Sequence, residues 1–211
     1  MNRFLRHALA GIAAASPAAS GAAVTLHFEL DGDPLSTTDA VYTDTPVTWT
    51  VYASFTGYAD PGAYFGGFVG SFVPVVSTGN GVLGSVGNLT SLMQGSGTAA
   101  SGDGVRVDNV NVFHSALLQT NDPSNPIAIF SFDLTVDGVS GAVDPDAPIR
   151  LTYAAEGLAS VFPDAGIFSL PDEYTEINVI SDRLFVPSTG VAGVVALGSL
   201  GFGLGRRRGV R

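Results

Sequence analysis

The chain reads as an all-β protein: an antiparallel β-sandwich or jelly roll, flanked by an N-terminal signal peptide and a short C-terminal hydrophobic helix. Three observations predict this. Apolar and polar residues alternate along several short stretches, which puts one set on a core face and the other in solvent. Turn residues recur between those stretches, as in Asp31-Gly32-Asp33-Pro34, Asp60-Pro61-Gly62, Asp137-Gly138 and Asp144-Pro145. No internal stretch of ten or more residues carries a helical period. Several short strands joined by such turns indicate a sandwich.

The strands can be taken in order. Val24 to Leu30 has apolar residues at every second place, with His27 on the outward set. In the next, Val47, Trp49, Val51, Ala53 and Phe55 alternate with Thr48, Thr50, Tyr52 and Ser54, so Trp49 is expected in the core. Further strands are expected at Phe68 to Val76, Val105 to Phe113, Ala128 to Val136, Ile149 to Ala154 and Ile177 to Val186. In the second of these the apolar parity shifts between Val107 and Val110, which predicts a bulge near Asp108-Asn109. Ser77 to Gly104 breaks the pattern, holding eight glycines, many serines and threonines, and few apolar residues. It reads as a long mobile surface loop, with Leu89 to Met93 forming a single helical turn.

Residues 24–185 have the size of one domain, between a signal peptide at 1–23 and a tail at 186–211. The domain contains no cysteine, so neither disulfides nor thiol chemistry are available to it. It holds all 19 carboxylates against only Arg106, Arg150 and Arg183, a formal charge of −16, and the chain has no lysine at all. Such a surface repels nucleic acid, which is excluded as a partner.

The two ends point to export. Arg3 and Arg6, the apolar run Ala8 to Ala15 and the small residues Ser20-Gly21-Ala22-Ala23 have the order of a secretory signal peptide, cut after Ala22 or Ala23. At the other end come Val186, Pro187, Ser188, Thr189 and Gly190, an apolar stretch from Val191 to Leu204, then Arg206, Arg207 and Arg208. Arginines are costly in hydrocarbon, so this cluster would stop the tail on the cytoplasmic side. Gly190 to Gly205 spans only ~24 Å as a helix, against a hydrocarbon core of ~30 Å. Six of its residues are glycine, which weakens a helix.

This tail resembles a PEP-CTERM sorting signal. The resemblance covers about the last 26 residues and implies recognition by an exosortase, a membrane transpeptidase-like enzyme of bacteria with an outer membrane. Family members usually carry Pro-Glu-Pro, whereas Pro187 is followed here by Ser188 and Thr189. Val186 to Gly190 is also similar to the LPXTG signal of sortases, with valine for leucine, and a plain membrane anchor is the third reading. The body has a weaker resemblance, of strand pattern only. Asn125 to Val136, then Ile149-Arg150-Leu151-Thr152, then Phe162-Pro163-Asp164-Ala165-Gly166 before the last strand is similar in order to cohesin-type domains. That family implies a jelly-roll sandwich in which a sheet face binds a dockerin helix pair; only its architecture is carried over.

Catalytic chemistry finds little to stand on. In the body only His27 and His114 could serve as imidazole bases or ligands, and both read as ordinary surface residues. No His-x-x-x-His or His-Glu pairing suggests zinc, and no Gly-x-Ser-x-Gly elbow is present. The glycine-rich stretches lack the lysine of a phosphate loop. Asn88-Leu89-Thr90 is read as a chance sequon. No cofactor is expected, calcium being the one ion with candidate ligands, at Asp31, Asp33, Asp144 and Asp146; ordinary turn chemistry explains the same residues.

Two functional classes follow. One is an exported non-enzymatic protein of the cell surface or extracellular matrix, held transiently in the inner membrane and then joined to a surface such as an exopolysaccharide. The other is a carbohydrate- or protein-binding module displayed there, with Tyr58, Tyr64 and Phe65 as candidate ligand-stacking aromatics, unless they simply cover the end of the sandwich. A hydrolase has no motif behind it.

Overall fold

The computed structural model describes residues 21–187, less 78–80, 94, 96, 115–121, 141–148 and 167–168. The expected signal peptide, and the tail from Ser188 through Thr189 and Gly190 to Arg206, Arg207, Arg208 and Arg211, lie outside the described residues. So do Asp144 and Asp146. Among the described residues no helix is long and apolar enough to cross a membrane.

Among the described residues, twelve strands form two facing sheets. In chain order they are β1 (Ala23–Glu29), β2 (Asp39–Val41), β3 (Val47–Thr56), β4 (Tyr64–Val76), β5 (Val82–Ser91) and β6 (Thr98–Ser101). There follow β7 (Val107–Phe113), β8 (Ile127–Val139), β9 (Ile149–Phe162), β10 (Asp172–Tyr174), β11 (Ile177–Ser181) and β12 (Arg183–Val186). The smaller sheet runs β11-β1-β3-β8-β5 and the larger β2-β12-β9-β4-β7-β6, with β10 beside β9. The all-β sandwich expected from alternation is the fold. Its strands pair antiparallel except at two places, where β1 runs parallel to β11 and β12 parallel to β2.

The core lies between the sheets and is aromatic. Trp49, Phe132, Phe72, Phe28 and Tyr153 are all buried, and they interlock by edge and stacked contacts. Trp49 meets Tyr153 edge-on, with ring centres 5.1 Å apart, while Thr48 on the same strand is exposed. Offset and edge-on ring pairs of this kind are favoured by the charge distribution of the rings. The Tyr153 hydroxyl donates to the Val105 carbonyl at 2.7 Å, which satisfies a polar group that burial would otherwise penalise. The parity shift in β7 is a bulge: Gly70 pairs with Val110 but Phe72 with Val107, and Asn109 takes φ 54°.

Three sequence expectations need correction. Ser77 to Gly104 is not a single loop, because it supplies β5 and β6. Both are edge strands, where one ladder and a few inward apolar groups such as Val82 and Val86 suffice. Leu89 to Met93 forms no helical turn, since Leu89 to Ser91 continue β5 against Ser131 and Phe130 of β8. The last strand is broken in two at Asp182, where the chain passes from the smaller sheet (β11) to the larger (β12).

Candidate functional site

That passage at Asp182 is one of two at the same corner. The segment from Leu30 to Thr38, between β1 and β2, also leaves the smaller sheet for the larger. Asp182 ties the two together. Its Oδ2 accepts from the Leu30 amide at 2.6 Å and its Oδ1 from the Thr38 amide at 2.5 Å. Its own amide donates to the Phe28 carbonyl, and the Arg183 amide donates to the Thr38 carbonyl. Charge-assisted bonds to backbone amides are among the stronger hydrogen bonds, so a carboxylate suits this joint better than a neutral group.

Glu29 ends β1 beside this joint and is 1% exposed. Alternation sets its side chain on the outward set of β1. The Leu30–Thr38 segment folds back across that set, where the Tyr52 hydroxyl donates to the Gly32 carbonyl at 3.0 Å. As a carboxylate, Glu29 meets no hydrogen-bond donor at either oxygen. Carboxylate oxygens of Glu29, Asp31 and Asp182 lie within 4.8 Å of one another. Burial, then the charges of Asp182, Asp31 and Asp33, and a hydrogen bond to Asp182 open only to the protonated form, push the Glu29 carboxyl up to about 7. Asp31 is exposed, and bonds from the Asp33 amide and the Thr38 hydroxyl hold its carboxyl below the usual range.

Of the expected calcium residues, Asp31 therefore belongs to a convergent oxygen cluster. Asp33 instead accepts from the Leu35 amide at the surface. Glu29 and Asp182 were not foreseeable from sequence. Asp182 bonds to a backbone 152 residues away, and Glu29 occupies a place that alternation alone assigns to solvent. The cluster is not built for acid–base catalysis, since two of its three carboxylates are sealed from any substrate.

The two histidines are corrected as well. His27 and His114 are buried rather than on the surface, and burial holds both imidazoles below their usual range. His27 Nε2 bonds Ser54 Oγ at 2.9 Å, while its Nδ1, without a hydrogen-bond partner, lies 3.9 Å from Glu29 Oε1. His114 Nε2 accepts from the Asp122 amide at 3.3 Å.

Tyr64 and Phe65 offer no ring to a ligand. Tyr64 is stacked on Phe162 with centres 4.8 Å apart, and Phe65 is wholly buried, so they cover the end of the sandwich. Tyr58 is half-buried against Phe55 beside a shallow cleft of about 170 Å³, and its hydroxyl is engaged by Tyr174 and Asp172. A second cleft, of about 340 Å³, lies between Met93, His114, Asp122 and Ile127. A more open surface lies on the outer face of the larger sheet, where Val69, Val75 and Phe113 are 55%, 48% and 39% exposed. Between Val69 and Val75 stands Ser71 opposite Glu156, and Arg106 pairs there with Asp108 at 2.5 Å and Glu156 at 3.5 Å.

No known family's sequence profile matches the chain, and no curated protein matches it. Among solved structures it is similar to cohesins. The seventh ScaB type I cohesin of Pseudobacteroides cellulosolvens is 9% identical with a TM-score of 0.46, over 79% of this chain and 94% of that one. The cohesin of an OlpA cohesin–dockerin complex from Clostridium thermocellum is 9% identical at 0.43, over 78% and 99%. A non-cellulosomal cohesin of the archaeon Archaeoglobus fulgidus is 11% identical at 0.41, over 82% and 97%. No residue role is carried over from them.

Proposed function

We propose that this is an exported, non-enzymatic protein of the cell surface or extracellular matrix, delivered by a sorting tail of the exosortase type. The observation that carries the reading is the order of the tail: Pro187, a glycine-studded apolar stretch too short for a firm span, and an all-arginine end. The signal-peptide pattern at the other end agrees with it. A non-enzymatic role is supported by the placement of the titratable groups: His27, His114 and Asp182 are buried and held by hydrogen bonds, and Glu29 is buried. Intact mass and localisation of the native protein test the reading. Processed protein on the surface, lacking Arg206 to Arg211, is the expected result. Full-length protein retained in the inner membrane would leave a plain anchor instead.

The exposed apolar residues favour a second, compatible role, that of a protein-binding module. Val69 and Phe113 are neighbours across β4 and β7 on the outer face of the larger sheet, with Val75 further along β4, and exposed apolar groups that sit together mark interaction surfaces. The strongly acidic body selects a partner with a cationic rim around an apolar centre. A photo-crosslinker at Val69 of surface-displayed protein should trap one defined partner, and one at Thr48 on the opposite sheet should not. Equal trapping at both positions would remove this role while leaving the sorting reading untouched.

A further inference from the structure

We propose that Glu29, Asp31 and Asp182 bind one calcium ion at the corner where the Leu30–Thr38 segment and the β11–β12 junction cross between the sheets. The starting observation is Glu29, a carboxylate 1% exposed with no hydrogen-bond donor at either oxygen, beside the carboxylate of Asp182, also 1% exposed. A buried carboxylate with no partner carries a large desolvation cost unless something compensates its charge.

Among the described residues, the cations are committed elsewhere. The chain has no lysine. Of the three body arginines, Arg183 pairs with Asp39 at 2.6 Å, Arg106 with Asp108 at 2.5 Å, and Arg150 lies over the Phe185 ring. His27 Nδ1, at 3.9 Å, is too far to donate to Glu29.

The spacing suits an ion. Calcium–oxygen bonds of ~2.3–2.6 Å allow oxygens on one ion to stand up to ~5 Å apart. The three carboxylates converge within 4.8 Å of one another. The bonds that Asp31 and Asp182 already accept leave each of their oxygens a further lone pair, since a carboxylate oxygen offers two. An all-oxygen set of three carboxylates selects a hard divalent cation. Glu29 comes from a strand, Asp31 from a loop and Asp182 from a junction, and such an irregular set fits calcium better than the strict octahedron of magnesium. One ion would pin both crossings, so its effect should appear as stability.

The test uses the full chain, stripped with chelator and then titrated with calcium chloride by calorimetry and thermal melting. At free calcium about 100 times Kd, linkage gives a rise in Tm of roughly 5–10 °C for a chain of this size. Glu29→Gln and Asp31→Asn should each weaken calcium binding by about tenfold or more; both are near-isosteric, and neither removes the Asp182 bonds to backbone. Magnesium should give a smaller shift. The proposal is overturned if calcium gives no heat and no shift in Tm, or if both variants respond as the wild type does. A Glu29→Gln chain more stable than a calcium-insensitive wild type would show that Glu29 holds a proton there instead. An equal response to magnesium would overturn the assignment to calcium.

Discussion

Trp49 shows what alternation can and cannot tell about a residue. Its place in Val47 to Phe55 assigned it to the core, and it lies there fully buried against Tyr153 and Phe132. Trp49→Ala should cost ~3–5 kcal/mol, from lost burial and the cavity left behind. A denaturant series showing a loss below about 1 kcal/mol would mean that the register is wrong. Alternation fixes which side of a sheet a residue faces, but not what covers that side, so His27 was misjudged and the burial of Glu29 was not legible; His114, misjudged too, follows Val110 and Val112 on the inward parity of β7. The pH dependence of stability makes this visible for His114. Burial lowers its imidazole from an ordinary value of 6.5, so in that region the unfolded chain binds more protons than the folded one. Stability contributed by the neutral ring is therefore present above pH ~6.5 and falls as pH drops below it. The loss of stability between pH 7 and 5 should shrink in His114→Asn, measured by melts in matched buffers. An unchanged slope would show that the ring titrates as it does in solvent.

At the scale of elements, the strands with strong alternation were legible and the glycine-rich ones were not. β5 and β6 are poor strand formers by composition, yet each needs only one partner at the edge of its sheet. β8 recruits β5 through eight paired positions, and β7 recruits β6. Tertiary pairing overrides weak local preference in such places. Glycine has a different meaning where β4 and β9 pair. Gly70 stands opposite Gly157, and a Cβ at Gly157 would come 2.2 Å from the Val69 carbonyl oxygen and 2.8 Å from Gly70 Cα. Backbone atoms cannot yield as a flexible side chain can. Gly157→Val should cost ~1–3 kcal/mol or more by overpacking, whereas Gly87→Ala, with nothing within 4 Å of its Cβ, should stay within ~0.5 kcal/mol. Equal urea midpoints for the two variants would refute the close approach of β4 to β9.

At the scale of the molecule, the sandwich was legible because alternation survives in most of its strands, and the carboxylate corner was not, because it joins residues about 150 positions apart. The same closure bears on the tail. Val186 opens the expected processing motif, yet it is also the last residue of β12, paired with Ile149 and 4% exposed. Pro187, next in line, is exposed. A processing enzyme needs an extended, accessible segment, and residues held in a ladder do not supply one. Removing Val186 would also take an apolar side chain out of the core, at ~1.5–3 kcal/mol. Both considerations push the cut to the far side of Val186, within Pro187 to Gly190. Mass spectrometry of the native protein should therefore find a carboxyl end that retains Val186 and precedes Val191. Replacing Arg206, Arg207 and Arg208 with serine should let the tail pass the membrane and send uncut chains to the medium. A mature end at Phe185 or earlier would contradict the placement of Val186 in β12, and a cut between Thr189 and Gly190 would favour the LPXTG-type enzyme over the exosortase.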